Sequence, residues 1–412
     1  MKKTGISLEN VKINNKSAIL DVLNKKGAMS RKDIANELGL TPAAVTMLCA
    51  ELMERNILLE KGEMQEEKRV GRRKVSIDIN YDYRCIAAVS IEVLTTYITI
   101  VNLKGKMIDQ KIIDTESSIE PERFLEKIAG ECKVLLWENE KKPSDVLGIG
   151  VCIPGIVNRK EGASVNAYGI WNNVVPVREL MVRFMNCPVV VENNIKSFAE
   201  GELLYGMGKT GADLLFVKWG PGVGSAIVIG NQVYEGFDNK AAEIGHYILE
   251  TGEKRCKCGR RGCLETEVSI TAITDKIKQI YSKESTPQLY AMTKGEIDSV
   301  TGQFFFKWMH SITDDEASNL DRAVEEVIYE CIDVLARVVT NVITILAPNN
   351  TILFGCMLEN NNFRKQFVKL CKKYDERYDE TYISKSVLSN KISYIGPSTL
   401  IAREEFFLPG GC

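Results

Sequence analysis

Glu243-Ile-Gly-His246, followed ten residues after the histidine by Cys256-Lys-Cys258-Gly-Arg-Arg-Gly-Cys263-Leu-Glu265, is the stretch from which the rest of this 412-residue sequence is read. Three thiolates and one imidazole complete a tetrahedral zinc shell, and a shell closed by four protein ligands is structural because no position is left for water. The expected metal site is therefore His246, Cys256, Cys258 and Cys263, holding one structural Zn2+ per chain. The sequence has only two histidines, and one stands at this spacing. The other nine of its 12 cysteines are scattered singly. Such a distribution fits a reducing compartment with one metal cluster better than a disulfide framework.

Upstream of the cluster, alternating apolar residues mark β hairpins. Cys85-Ile-Ala-Ala-Val-Ser-Ile-Glu-Val93 is followed by Tyr97-Ile-Thr-Ile-Val-Asn-Leu103 and a turn at Lys104-Gly105. Leu214-Leu-Phe-Val-Lys-Trp219 leads through Gly220, Gly222 and Gly224 to Ala226-Ile-Val-Ile229 and a turn at Gly230-Asn231. Each hairpin precedes further strand and helix, so two related α/β lobes are expected, with a cleft between them suited to a small ligand. The three glycines permit close approach of backbone N–H groups to a phosphate or to another chain segment; a tight hairpin would use them too.

The first eighty residues read differently. Ile13, Ile19, Leu20, Val22 and Leu23 form an apolar helical face from about residue 12 to 26, and Lys25-Lys26-Gly27 closes it. Ser30-Arg31-Lys32-Asp33 has the form of a capping box ahead of a second helix that stops at Gly39. Thr41 caps a third, with Pro42 at its first position and Val45, Leu48 and Leu52 facing inward. Two short helices meeting across Leu38-Gly39-Leu40 are the pattern of a helix-turn-helix, whose second helix presents its N-terminal residues to base edges. Thr41, Ala43, Ala44, Thr46 and Met47 are the expected base-reading residues. Residues 57–60 and 75–79 read as a strand pair around a basic wing, Lys68-Arg69-Val-Gly-Arg72-Arg73-Lys74. With no cation at the start of the third helix, phosphate contacts are expected from Arg31, Lys32, Arg69, Arg72, Arg73 and Lys74. Residues 1–80 hold 15 Lys/Arg against 11 Asp/Glu, or +4, which leaves −6 of the total −2 for the remainder.

The segment from Glu243 to Glu265 closely resembles the signature of the ROK family of repressors and sugar kinases, and the resemblance covers nearly the whole chain, including a head that only the repressor branch carries. It implies an α/β body of the actin-like, ribonuclease H-like sugar kinase fold behind a winged helix-turn-helix. By the same resemblance, sugar hydroxyls are held by Asn193, Glu243, His246 and Glu265, with one ring nitrogen of His246 for the metal and one for the ligand. Gly155, in Cys152-Ile-Pro-Gly155, and Asn173, in Trp171-Asn-Asn173, match further cleft-lining stretches. Two positions depart from the kinases of the family. Where they carry the Asp that takes the proton from the attacking hydroxyl, this chain has Asn194, and an amide cannot accept that proton. Where their first phosphate loop reads Asp-x-Gly-Gly-Thr, this chain has Ser90-Ile-Glu92-Val-Leu94, which sets a negative charge in the place of phosphates.

At this length two or three domains are expected. The boundaries read as 1–80 for the head, 82–192 for a first lobe completed by a C-terminal helix at about 395–412, and 193–394 for a second lobe carrying the zinc loop, sugar residues and a dimerisation surface. No apolar run approaches the roughly 18 residues of a membrane span and the start lacks a signal peptide's apolar block, so a cytoplasmic protein without membrane contact is expected. The reading that follows is a repressor rather than an enzyme. Its partners would be operator DNA with an inverted repeat, a sugar or sugar-phosphate effector, and a second copy in a homodimer or dimer of dimers. The competing readings are an ATP-dependent sugar kinase with a DNA-binding head and a protein-docking hub.

Overall fold

The computed structural model describes residues 8–63, 75–207, 211–250, 252–311 and 320–411. In the head, α1 (Leu8–Lys26) begins before the apolar face that announces it, with Glu9 placed in its first turn where the positive end of the helix favours an acid. A two-residue strand, β1 (Met29–Ser30), follows. Ser30 then caps α2 (Arg31–Leu38) by accepting from Asp33 N, and Gly39, at φ 64°, takes the left-handed conformation that ends it. Thr41 caps α3 (Pro42–Glu54) through Ala44 N. β2 (Leu58–Glu63) runs three residues beyond the expected strand and β3 covers Val75–Ile79; β1 pairs with β3 (Met29↔Ile77), giving a three-stranded sheet in the order β1-β3-β2. The wing residues Arg69, Arg72, Arg73 and Lys74 lie outside the described residues.

The first lobe contains β4 (Cys85–Ile91), β5 (Thr95–Asn102), β6 (Met107–Asp114), α4 (Pro121–Glu138), β7 (Val146–Ile153), β8 (Ile156–Asn158), β9 (Ala163–Asn166), α5 (Val177–Met185) and β10 (Val189–Asn193). Helix α6 (Asn194–Tyr205) leads to the second lobe: β11 (Leu214–Trp219), β12 (Val223–Ile229), β13 (Gln232–Val233), α7 (Glu265–Val268), α8 (Ile270–Ile280), α9 (Pro287–Met292), α10 (Gly302–Ser311), α11 (Arg322–Leu346), β14 (Asn350–Phe354), α12 (Cys356–Glu359), α13 (Asn361–Tyr374) and β15 (Ile383–Lys385). The chain ends on α14 (Ile395–Ile401), which continues in a wider π turn through Phe407.

The two five-stranded sheets follow one plan. The first runs β10-β7-β4-β5-β6 and the second, in the same sense, β15-β14-β11-β12-β13. In each, three antiparallel strands are extended by two parallel ones reached through helical crossovers. Two details differ from the sequence reading. Asn193, assigned there to the second lobe, is the last residue of β10 and pairs with Ile153 of the first sheet. The head is also not separately cored: Ile19, Leu20, Leu23 and Leu52 belong to one buried apolar cluster with Leu147 and Val190 of the first lobe and with Leu400, Phe406 and Phe407 of the C-terminal segment. Among the described residues no helix is long and apolar enough to cross a membrane.

Candidate functional site

The strand ends of the first sheet face the Cys256–Cys263 loop of the second lobe across a cavity of about 130 Å3. Asn193 sits at its floor as the N-cap of α6. Its Oδ1 accepts from Ile195 N (2.9 Å) and Lys196 N (3.1 Å), and its Nδ2 donates to Gly155 O (2.7 Å), so the amide orientation is fixed and one N–H remains for a ligand. Gly155 is required there on two counts: its φ is +89°, and a Cβ would lie 2.2 Å from Asn166 O. From the second lobe, Glu265 Oε2 accepts from Val223 N at 3.2 Å, and a side chain at Gly222 would crowd the same oxygen. The hairpin glycines therefore admit a carboxylate of the chain itself.

Burial pushes the Glu243 carboxyl up to about 7, against the pull of Lys196 and with Glu265 adding to the rise. Burial raises the Glu265 carboxyl as well, while Val223 N–H and Lys257 oppose it. Two carboxyl groups able to accept or donate hydrogen bonds, one oriented amide and an imidazole make a set suited to a polyhydroxylated ligand. His246 is buried, its ring edge-on to Tyr168 with centroids 5.0 Å apart. Its Nδ1 lies 3.6 Å from Cys256 Sγ and its Nε2 lies 4.0 Å from Glu243 Oε2, so the two ring nitrogens face different neighbours. Burial, with Arg260 nearby, lowers its pKa to about 4, leaving the neutral ring that a metal ligand must be.

The donor atoms of His246, Cys256, Cys258 and Cys263 all lie within 4.8 Å of one another. Metal–sulfur bonds of about 2.3 Å in a tetrahedron set neighbouring sulfurs about 3.8 Å apart. Cys258 Sγ and Cys263 Sγ are separated by 3.6 Å. The four residues thus fit a tetrahedral metal, and the loop is shaped for it by the Ile248↔Cys263 and Arg255↔Arg261 bridges.

Of the expected sugar residues, Asn193, Gly155, Glu243, His246 and Glu265 all line this cavity. Asn173 does not. Trp171 takes the buried position in that loop, its Nε1 donating to Ser164 Oγ at 2.9 Å, and the bend that follows leaves Asn173 exposed. Sequence reasoning missed Tyr168, Lys218 and Lys257, which also line the cavity; an aromatic or lysine in a loop or strand carries no local sign of facing a cleft. The negative charge expected at Glu92 is paired: Lys218 Nζ lies 2.9 and 3.0 Å from its two oxygens, and Asn194 Nδ2 donates to Oε1 at 2.8 Å. Ser90 is buried on β4 and lines a second cavity beyond this pair.

In the head, Thr41, Ala43, Thr46 and Met47 are exposed at the start of α3, and Ala44 is partly so. Thr46 Oγ1 donates to Pro42 O at 2.7 Å, which leaves its lone pairs outward. Lys32 is exposed. Arg31 is partly buried, its Nη2 3.4 Å from Glu60 Oε1 and 3.2 Å from Met53 Sδ.

Residues 87–404 match the family model described as ROK family, and residues 14–58 match one described as winged helix-turn-helix DNA-binding. The chain is 28% identical over 267 residues to the xylose repressor of Caldicellulosiruptor bescii, an alignment covering 65% of this chain and 66% of that protein. It thus spans about two thirds of that repressor's length. It is equally 28% identical, over 265 residues, to a glucokinase of Thermotoga maritima, covering 63% of this chain and 78% of the enzyme. In three dimensions, a crystal structure described as a ROK family transcriptional regulator homologous to the E. coli Mlc protein superposes with a TM-score of 0.77 over 97% of each chain, at 21% identity. At that identity the likeness speaks for the fold.

Proposed function

The chain belongs to the ROK family, and from that membership we propose that it is a sugar-responsive transcriptional repressor of carbohydrate-utilisation genes that senses its effector without phosphorylating it. The observation that carries this reading is the union on one chain of a winged helix-turn-helix at 14–58 with a ROK body at 87–404. The effector, a sugar or sugar phosphate, is held by Asn193, Glu243, His246 and Glu265. His246, Cys256, Cys258 and Cys263 would hold one structural zinc, which would fix the ring whose other nitrogen faces the ligand. The chain acts in the cytoplasm as a homodimer or dimer of dimers on an inverted repeat, with half-sites about one or two helical turns apart.

The test is selection from a random duplex pool by the purified chain, followed by titration of the enriched DNA with xylose, glucose, N-acetylglucosamine and their phosphates. Enrichment of an inverted repeat whose affinity changes with one of these sugars supports the reading; retention of all sequences alike sinks it. The same assay apportions the contacts. Thr46→Ala is expected to cost up to about 1–3 kcal/mol at one operator position while leaving the salt dependence alone. Arg72 and Arg73, changed together to Ala, should weaken binding to every sequence and flatten the salt slope. A wild-type slope in that double variant would remove the wing as the electrostatic anchor.

Phosphoryl transfer fails at two separate points. Asn194 offers no base and its amide donates to Glu92, and the stretch that the resemblance aligns with the kinases' first phosphate loop has an acid and no glycines in their place. A coupled ADP assay over the same sugars is expected to stay at background for the wild type and for Asn194→Asp. ATP-dependent phosphorylation of any sugar by the wild type would falsify this assignment.

A further inference from the structure

The Glu92–Lys218 pair bridges the two sheets across the cleft, which the Tyr168–His246 ring contact also spans. Glu92 follows β4 in the hairpin of the first sheet, where its backbone is pinned from both sides: its N–H donates to Thr95 O at 3.0 Å and its carbonyl accepts from Thr115 Oγ1 at 2.7 Å. Lys218 stands on β11, the central strand of the second sheet, flanked by Gly224 of β12 and Phe354 of β14. Lys218 is carried on strand backbone and Glu92 on a turn held by two hydrogen bonds, so the bridge resists a swing of one sheet away from the other. The pair is largely withdrawn from water, with the lysine side chain 12% and the glutamate side chain 24% exposed.

Both residues line the 130 Å3 cavity and also a second cavity of about 330 Å3 beyond it. With Leu94 and Pro221, which also line both, they form the partition between the two. Asn194, at the first turn of α6 beside the cavity-lining Asn193, adds the third arm through its bond to Glu92. We propose that the Glu92–Lys218 bridge, keyed by Asn194, is a lock across the cleft that holds the two lobes at their resting angle and seals the passage between the cavities. A shielded, doubly bonded ion pair suits that role. Removing one partner strands the other charge in a site with little water, whereas reversing the pair restores the attraction. The lock stands beside the polar groups proposed to meet the ligand, so a hydroxyl competing for Asn194 or Glu92 loosens it, and the lobe angle becomes sensitive to occupancy.

The test reads the lobe angle directly in the full chain, with neither DNA nor sugar present, so its failure leaves the repressor reading standing. Spin labels are placed through unnatural ketone side chains at the exposed positions Glu126 on α4 and Arg322 on α11, which spares the cysteines of the metal loop. The wild type is expected to give one narrow distance distribution. Glu92→Gln, which preserves shape, and Lys218→Met should each broaden it and shift its mean; the reversed pair Glu92→Lys with Lys218→Glu should return it to the wild-type width. The lock is overturned if either single variant, folded by circular dichroism, keeps the wild-type distribution, or if the reversed pair stays as broad as the single variants.

Discussion

Cys258→Ser is expected to release the metal, lower the unfolding temperature and abolish the response to sugar in one step. Its thiolate stands 3.6 Å from Cys263 Sγ in a closed donor set, and a hydroxyl is a poor zinc ligand at neutral pH. Structural zinc sites in small peptides carry apparent binding free energies of about 10–16 kcal/mol. Here the second lobe has its own large apolar core, from Leu215 through Ile383, so only part of such an amount is at stake and a loss of about 3 kcal/mol or more is anticipated. The functional effect follows from connectivity. Glu265 lies two residues beyond Cys263, and His246 Nδ1 belongs to the same donor set, so a loop that lost its ion would also carry two of the groups that line the cavity. Elemental analysis should find about one zinc per wild-type chain and little in the variant, while Cys187→Ser, at a partly buried thiol outside the cluster, should keep its metal. A metal-free wild type, or a Cys258→Ser protein with undiminished sugar response, would remove the zinc assignment.

Gly150→Ala is expected to destabilise the protein by about 3 kcal/mol, far out of proportion to one methyl group. Gly150 lies in the middle of β7, and its neighbour is backbone rather than side chain: an added Cβ would stand 1.8 Å from the carbonyl oxygen of Pro397 in α14. No rotamer change relieves such an overlap, so α14 must lift from the sheet. Its continuation carries Phe406 and Phe407 into the core shared with the head, and the disturbance should spread to α1. Gly130→Ala supplies the contrast. That glycine sits inside α4 with nothing within 4 Å of the place an added methyl would take, so the same substitution should stabilise by about 0.4–1 kcal/mol through helix propensity and a less flexible unfolded chain. Denaturant titrations of both variants check the pair. Equal midpoints would mean that α14 does not press on β7 as described.

What the sequence alone determined is what short-range chemistry encodes. Ser30 and Thr41 announce α2 and α3 because a cap acts on N–H groups three residues away, and Gly39 ends α2 because the left-handed turn is a property of that residue. The candidate donor set is legible because three of its four side chains fall within eight residues of one another, and the cavity residues of the Glu243–Glu265 stretch come with it. The tertiary structure decided whatever depends on a partner distant in the chain. β1 exists only because Met29 meets Ile77, and Arg31 meets Met53 and Glu60 only because the fold brings them beside it. Asn173 leaves the cavity because the buried Trp171 takes the inner position in its loop. Glu92, read alone, is an unwelcome charge; 126 residues later in the chain, Lys218 makes it half of a bridge. Caps, turns and ligand spacings are local energies written in adjacent residues, whereas ion pairs, strand partners and shared cores depend on which surfaces the completed fold brings together.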